Sequence, residues 1–538
     1  MAKHILFLLF LIAQVIVAQS YNILGIFPSA DRNNYLTYKG LFRELANRKH
    51  NVTVISHFQQ VEAPENYQDI SLSKNVKVLR SFSFETVIVN EVSRLPFETL
   101  VSTKAGNDDC KMLMDNREVN EMIRTRPRFD VVVVESYNSD CALALAANLS
   151  APYIAFNPQP IHPWHFNRVG INFNAAHVPQ SLLQYGRQPW FFERLKSFVL
   201  YYITQWVYYI GSQVTDHVYL YKYLGDNLPT LESIASNASL VFVNTHQSVF
   251  GGVARADNII DIGGIHIRPP KIIPTEIERF LTEAEHGVIY VNLGSTVKDA
   301  TLPSDKLNEL LSTFGKLPLR VLWKWDGGIV ENLPRNVMTM RWLPQYDILK
   351  HFNVKAFISH AGILSTIEAL DAGIPIIAIP LFGDQYGNAA ALVDAVNGIR
   401  FNNIATTLLL NMCSIPKLVF YSKTYTDKSY FRIQERAKTV SRMWHDRPMS
   451  PLETAIYWIE YVARYDGTPN LVSTSTSVPW YQQLQLDVLA FVGVVLYILA
   501  FVVKKLFSAC CCCYCWSDVA VQNVEISEER ASKRVKFD

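Results

Sequence analysis

Residues Phe357 to Gln385 read FISHAGILSTIEALDAGIPIIAIPLFGDQ, and the fold is decided there. The run up to Ser359 carries strand-forming residues, and Ala361-Gly362 permits a sharp turn. Apolar Ile363, Ile367 and Leu370 then recur at helical spacing, with Gly373 placed to close the helix. From Pro375 to Leu381 the chain is continuously apolar, as in a buried parallel strand. Strand, turn, helix and strand make a βαβ unit. Its helix begins at the carboxyl end of a strand, where free N–H groups and the helix dipole attract phosphate. The polar residues gather at that end. Ser359, His360, Gly362 and Ser365 lie at the turn, where a diphosphate would sit. Glu368, one turn on, suits ribose hydroxyls, and Asp384-Gln385 offer adjacent side chains for sugar hydroxyls.

Upstream, Val288–Leu293 reads as a strand running into Gly294-Ser295-Thr296, a second turn suited to phosphate. Leu307, Leu310, Leu311 and Phe314 mark a helical face, and Arg320–Trp325 a further strand. The amino-terminal half repeats the alternation. Strands are expected at Asn22–Phe27, Asn51–Ile55, Phe129–Glu135, Tyr153–Phe156 and Leu240–Val243, with helices between them. Such alternation implies a doubly wound sheet. No GxGxxG turn follows the first strand, so no dinucleotide cofactor is indicated. Gly263–Pro274, rich in Gly, Pro and Ile, reads as the linker between halves. Trp190–Leu224 is dense in aromatics, suiting helices packed on the core, a wall for an apolar acceptor or a surface that dips into a membrane.

The chain has 538 residues and a net charge of +2, which gives no electrostatic case for nucleic acid. Lys3 precedes an apolar run from Ile5 to Val17, with Ala18 a cleavage position, so residues 1–18 read as a signal peptide. Val488–Val503 is uncharged and apolar; with its flanks, 484–506 is long enough to span a bilayer. Trp480 and Tyr481 before it and Lys504-Lys505 after it place the tail, 507–538, in the cytoplasm and the body on the other side. Asn51, Asn148 and Asn237 open glycosylation sequons, Asn51 the least accessible if it heads a buried strand. Of eight cysteines, Cys510, Cys511, Cys512, Cys513 and Cys515 follow the span and read first as palmitoylation sites, with a metal site the second reading. Cys110, Cys141 and Cys413 remain for the body, and no disulfide scaffold is expected from them.

The Phe357–Gln385 spacing resembles the signature of the UDP-glycosyltransferase family, with its Ser/Thr-His opening, Gly, Glu, two Pro and a closing Asp-Gln. Trp342-Leu343-Pro344-Gln345 is similar to the family's base-binding motif, in which Trp stacks on uracil and Gln bonds its edge. Asp446–Pro451 and Ala455–Val462 resemble the closing helices that brace the first domain. The resemblance implies a GT-B fold: an acceptor domain over 19–265 and a UDP-sugar domain over 266–480, facing a cleft, plus one transmembrane helix. It implies transfer of a hexose, glucose or glucuronate, to a small lipophilic acceptor with inversion. Placement in the endoplasmic reticulum membrane is expected, and self-association is left open. The UDP-sugar is a co-substrate. No cofactor or metal is expected, and no Asp-x-Asp triplet is present.

One departure bears on mechanism. The family's base is a histidine in a Phe-Pro…Ser-His pattern after the first strand, and the resemblance places it on Asn34, within Phe27-Pro28-Ser29-Ala30-Asp31-Arg32-Asn33-Asn34. An amide cannot accept a proton at neutral pH. The Asp that orients the histidine matches Glu135 best, with Asp140 the alternative. Two function classes follow: a working transferase with an unconventional base, or a family member that binds nucleotide sugar or apolar ligand without turnover.

Overall fold

A computed structural model describes residues 20–73, 83, 91–178, 180–183, 189–252, 255–396, 399–400, 428–483 and 485–534. The expected signal peptide, Cys413 and the last four residues lie outside these. Residues up to Thr476 form one unit. It holds a seven-stranded sheet in its first half and a six-stranded sheet in its second. All pairings are parallel. Each sheet grows outward from its first strand, reverses, and continues on the other side, the doubly wound pattern.

In the first sheet, β1 (Asn22–Phe27) lies between β2 (Asn51–Ser56) and β4 (Val131–Glu135), pairing Ile23 with Val131 and Ile26 with Val134. Beyond these run β3 (Tyr67–Ser71) on one side and β5 (Tyr153–Asn157), β6 (Leu240–Val243) and β7 (Ile259–Asp261) on the other. Helix α1 (Arg32–Asn47) is capped by Asp31, whose side chain accepts from Asn33 N. Its apolar stripe of Tyr38, Leu41, Phe42 and Leu45 is buried on β1. A Cβ on Gly25 would lie 2.7 Å from the Phe42 ring, so helix and strand touch directly there.

In the second sheet, β8 (Val288–Asn292) lies between β9 (Arg320–Lys324) and β11 (Val354–Ser359), with β10 (Val337–Met340) outside β9. Beyond β11 come β12 (Ile376–Ala378) and β13 (Ile399–Arg400). The apolar run from Pro375 gives a strand of only three residues, because Pro380 has no N–H to extend the ladder. Gly373 closes the preceding helix with φ +70°, as its position predicts. Residues 263–274 carry no helix or strand, and Arg268 pins them to Asp347 through two hydrogen bonds of 2.9 and 2.7 Å.

Helices α2 (Glu91–Met114), α3 (Cys141–Asn148), α4 (Phe191–Tyr208) and α5 (Thr215–Leu224) cover the first sheet. The expectation of no disulfide is corrected here: Cys110 in α2 bonds Cys141 at the head of α3. The two lie far apart in sequence and meet only because both helices pack on one face of the sheet, which spacing alone does not reveal. Asn51 is also corrected. It is exposed at the sheet end, its Nδ2 donating to Asn22 Oδ1 at 3.0 Å.

Residues from Ser477 onward form a second unit. Its long helix runs Leu486–Arg534, and the portion Leu486–Ser508 has a mean hydropathy of 2.7, apolar and long enough to cross a membrane.

The disulfide closes a loop across a sequence separation of 31. By chain entropy that is worth about 3–4 kcal/mol. Cys110→Ser is therefore expected to lower the melting temperature of the purified protein by several degrees. An unchanged melting curve would show that the bond does not stabilise the fold.

Candidate active site

In a doubly wound sheet, ligands bind beyond the carboxyl ends of the strands where the order reverses. In the first sheet that point lies between β1 and β4. The turn after β1 delivers Ser29 and the first turn of α1, and β4 ends on Glu135. These residues interlock. Asn34 Nδ2 donates to Glu135 Oε1 at 2.8 Å, and Ser29 N donates to Glu135 Oε2 at 3.0 Å. Asn34 and Glu135 are 3% and 4% exposed. Burial pushes the Glu135 carboxyl up to about 7. The Ser29 N–H and the Asn34 amide pull the other way, and the charge of Asp31 adds to the rise. The alternative partner, Asp140, is committed elsewhere. It is fully buried and pairs with Arg168 at 2.5 Å and with Gln213 at 3.2 Å. His50 bonds Tyr21 N and Glu460, away from this turn.

In the second sheet the reversal lies between β8 and β11. Helix α6 (Ser304–Gly315) follows β8, while α7 (Gln345–Leu349) and α8 (Ile363–Ala372) flank the end of β11. Gly294 has φ +98°, and a Cβ there would lie 3.0 Å from His360 Nε2; one on Gly362, the N-cap of α8, would lie 2.5 Å from it. Both glycines let His360 sit against the two turns. Burial pulls His360 down to about 4. The Asn292 carbonyl opposes that shift and Lys324 adds to it, so the ring is neutral at pH 7. It offers an N–H donor rather than a charge, leaving positive potential to the α8 amino terminus. Ser295 is exposed beside this turn.

Gln345 ties the site together. Its Oε1 accepts from Asn292 Nδ2 at 2.6 Å, and its Nε2 donates to Ser365 Oγ at 3.0 Å and Glu368 Oε2 at 2.7 Å. Sequence reasoning gave Gln345 the uracil edge; both ends of its amide are engaged within the protein. Burial raises Glu368 to about 7, opposed chiefly by that Gln345 bond. Trp342 is 70% exposed and presents a free indole face beside Gln345.

Asp384 precedes α9 (Gln385–Val396) and accepts from Asn388 Nδ2 at 2.7 Å. Burial raises its carboxyl to about 7, with Asp31 and Glu98 of the first half adding to the rise. Gln385 Oε1 accepts from Leu381 N at 2.9 Å, holding the turn. This segment meets the first half directly. Gly383 N donates to Glu98 Oε2 at 3.2 Å, and the Arg94 guanidinium lies 3.7 Å from the Tyr386 ring centre. From the second half, α10 (Lys428–His445) leads to α11 (Pro451–Tyr465), whose Ala455, Ile456, Ile459 and Val462 pack with the core of the first sheet. Three residues that sequence reasoning missed are Ser29, Asn292 and Asn388. Ser29 lies in the turn after β1, Asn292 ends β8 and Asn388 lies in α9; each holds a predicted residue, and only Asn292, polar at the end of an apolar strand, carried a signal.

Two parallel sheets with their reversal points linked in this way define a GT-B glycosyltransferase. A solved anthocyanidin 3-O-glucosyltransferase in complex with UDP superposes with a TM-score of 0.55, at 16% identity, over 83% of this chain and 99% of that one. A solved kitacinnamycin glycotransferase gives 0.53 at 16% identity, over 82% of this chain and 98% of that one. The family model for "UDP-glucoronosyl and UDP-glucosyl transferase" matches residues 26–522, and the chain belongs to that family. It is similar to UDP-glucosyltransferase 2 of Dactylopius coccus, 37% identical over 90% of this chain and 92% of the relative. It is also similar to human UDP-glucuronosyltransferase 2B10, 28% identical over 91% and 92%.

An exposed indole can be removed without disturbing the core. Trp342→Ala is expected to weaken UDP binding by about 1–3 kcal/mol, as for a nucleobase stacked on an aromatic ring. The melting temperature without nucleotide should stay unchanged. Equal UDP affinity in calorimetry would remove Trp342 from the site.

Proposed function

We propose that this hexosyltransferase moves glucose or glucuronate from UDP to the hydroxyl of a small lipophilic acceptor, with Glu135 as the base. The observation that carries this is the Asn34–Glu135 hydrogen bond of 2.8 Å, with the Glu135 carboxyl raised to about 7. A base works best with a pKa near the working pH. Here the family's roles are exchanged: the carboxylate takes the acceptor proton, and the Asn34 amide orients it. The acceptor oxygen attacks C1 of the sugar from one side while UDP leaves from the other, so configuration inverts. Developing diphosphate charge is met by the α8 amino terminus, Ser295 and the His360 N–H. Trp342 stacks on the base, Glu368 takes the ribose, and Asp384 and Gln385 hold the hexose. The reading uses no metal or further cofactor.

In this reading the body lies in the lumen of the endoplasmic reticulum, anchored by Leu486–Ser508, with the cysteine-rich tail in the cytoplasm. A disulfide between Cys110 and Cys141 supports an oxidising compartment. A second reading, nucleotide-sugar binding without turnover, is favoured by the amide at Asn34 alone.

Glu135→Gln keeps shape and removes the base. Transfer to phenolic acceptors is expected to fall by ~10²-fold or more, the worth of general-base catalysis, with UDP affinity unchanged. Asn34→His adds a ring that Glu135 can orient and should raise transfer at least about tenfold. Undiminished transfer by Glu135→Gln would sink the reading. Saturable UDP binding with no transfer by the natural protein would establish the second.

A further inference from the structure

One buried side chain beside the nucleotide site has no part in the proposed chemistry. His266 stands in the linker between the halves with its side chain 6% exposed, and among the described residues neither ring nitrogen has a hydrogen-bond partner. Polar atoms buried without partners cost stability, so a position that keeps them calls for a group that closes on it. The ring faces such a group: Nε2 lies 4.0 Å from Glu368 Oε1. Glu368 Oε2 is already engaged, accepting from Gln345 Nε2 at 2.7 Å. Gln345 and His266 thus approach the two oxygens of one carboxylate from different segments of the chain.

The linker is fixed on both sides of this ring. Gly263 N donates to Thr245 O at 2.9 Å and Gly264 N to Asn244 Oδ1 at 3.2 Å, while the Arg268 fork and Lys271 N hold Asp347. Burial pulls His266 down to about 4, against the charge of Asp371, so the ring is neutral at pH 7. A neutral imidazole has one N–H to give, and a carboxylate opposite Nε2 selects the tautomer that carries it there. We propose that His266 is a positioning residue for the donor nucleotide: its Nε2–H closes on Glu368 Oε1 and, with Gln345 on Oε2, holds the carboxylate to accept from the 2′ and 3′ hydroxyls of a ribose. An ionised carboxylate has about four acceptor sites, so two remain for that diol. Such bonds are often long before the ligand arrives and tighten in the complex, and the present gap is about 1 Å from closure. The proposal rests on the reading that Glu368 takes the ribose, and it is independent of which residue acts as base.

The test measures binding of UDP and of 2′,3′-dideoxy-UDP to the full chain in detergent by calorimetry. The natural protein should prefer UDP by about tenfold or more, the worth of hydrogen bonds to a charged group. His266→Gln puts an amide N–H where Nε2 stood and should keep that preference. His266→Asn puts its amide at the Nδ1 position, short of Glu368; it should lose UDP affinity about tenfold and bind the dideoxy nucleotide unchanged. Should His266→Asn lose its native melting transition, His266→Leu is read in the same way. A natural preference that survives in His266→Asn would leave the ribose on Glu368 and overturn the role of His266 alone. Equal loss for both nucleotides would make His266 a support of the fold and overturn it as well. Equal affinity of the natural protein for both nucleotides would take the ribose away from Glu368, and the proposal with it.

Discussion

A parallel sheet forces every crossover to leave from the carboxyl end of a strand. Where the strand order reverses, successive crossovers turn to opposite faces and leave a gap between two strand ends. This chain has that constraint twice, between β1 and β4 and between β8 and β11. The first gap receives Ser29, Asn34 and Glu135, the second Gly294, His360 and the amino terminus of α8. Each element's role follows from which side of a gap it borders. The link between the halves is made by the segment after β12, which reaches Glu98 and Arg94 of α2, and by α11, which returns to the first sheet.

Three site carboxyls, two buried and Glu368 partly exposed, share one arrangement. Glu135, Glu368 and Asp384 each accept from a side-chain amide, of Asn34, Gln345 and Asn388, at 2.8, 2.7 and 2.7 Å. An amide N–H favours the ionised form but brings no charge, so burial prevails and all three rise to about 7. Asp347 shows the contrast. Burial raises it too, but the Arg268 fork and the Lys271 N–H outweigh that, and its carboxyl falls below the ordinary range. Pairing with amides rather than guanidinium groups keeps the site carboxyls close to neutrality at physiological pH. There they can take or give protons and hydrogen bonds. A histidine at position 34 would be a proton acceptor near neutral pH; the amide there cannot be one, and under the proposed reading the carboxyl behind it takes that part.

Much of this was legible in the sequence, for local reasons. The 357–385 stretch shows both periodicities within one unit, and its turn residues have few alternatives, so β11, α8 and the placement of His360, Ser365 and Glu368 could be read directly. The strand at Val337–Met340 was not read, because an edge strand is only half buried and lacks a continuous apolar run. The disulfide was missed because its two cysteines meet through tertiary packing. An amide beside Trp342 is visible in the sequence; the ring of Asn292, Ser365 and Glu368 that holds Gln345 is not, because those residues meet it only through the fold. The family resemblance matches Asn34 to the base position and Glu135 to that of its orienting partner; that the two bond to each other, and the burial that tunes the carboxyl, required the structure.

The central claim is that Glu135 takes the acceptor proton, and the pH dependence of kcat/KM tests it most directly. A carboxyl that must be ionised to act, and that titrates near 7, makes the rate fall about tenfold per pH unit below that value and level off above it. The Asn34→His variant should add a second limb nearer an ordinary imidazole value. A rate independent of pH between about 5.5 and 8 would contradict the account, since a base with an ordinary carboxylate pKa, or none at all, would then be responsible.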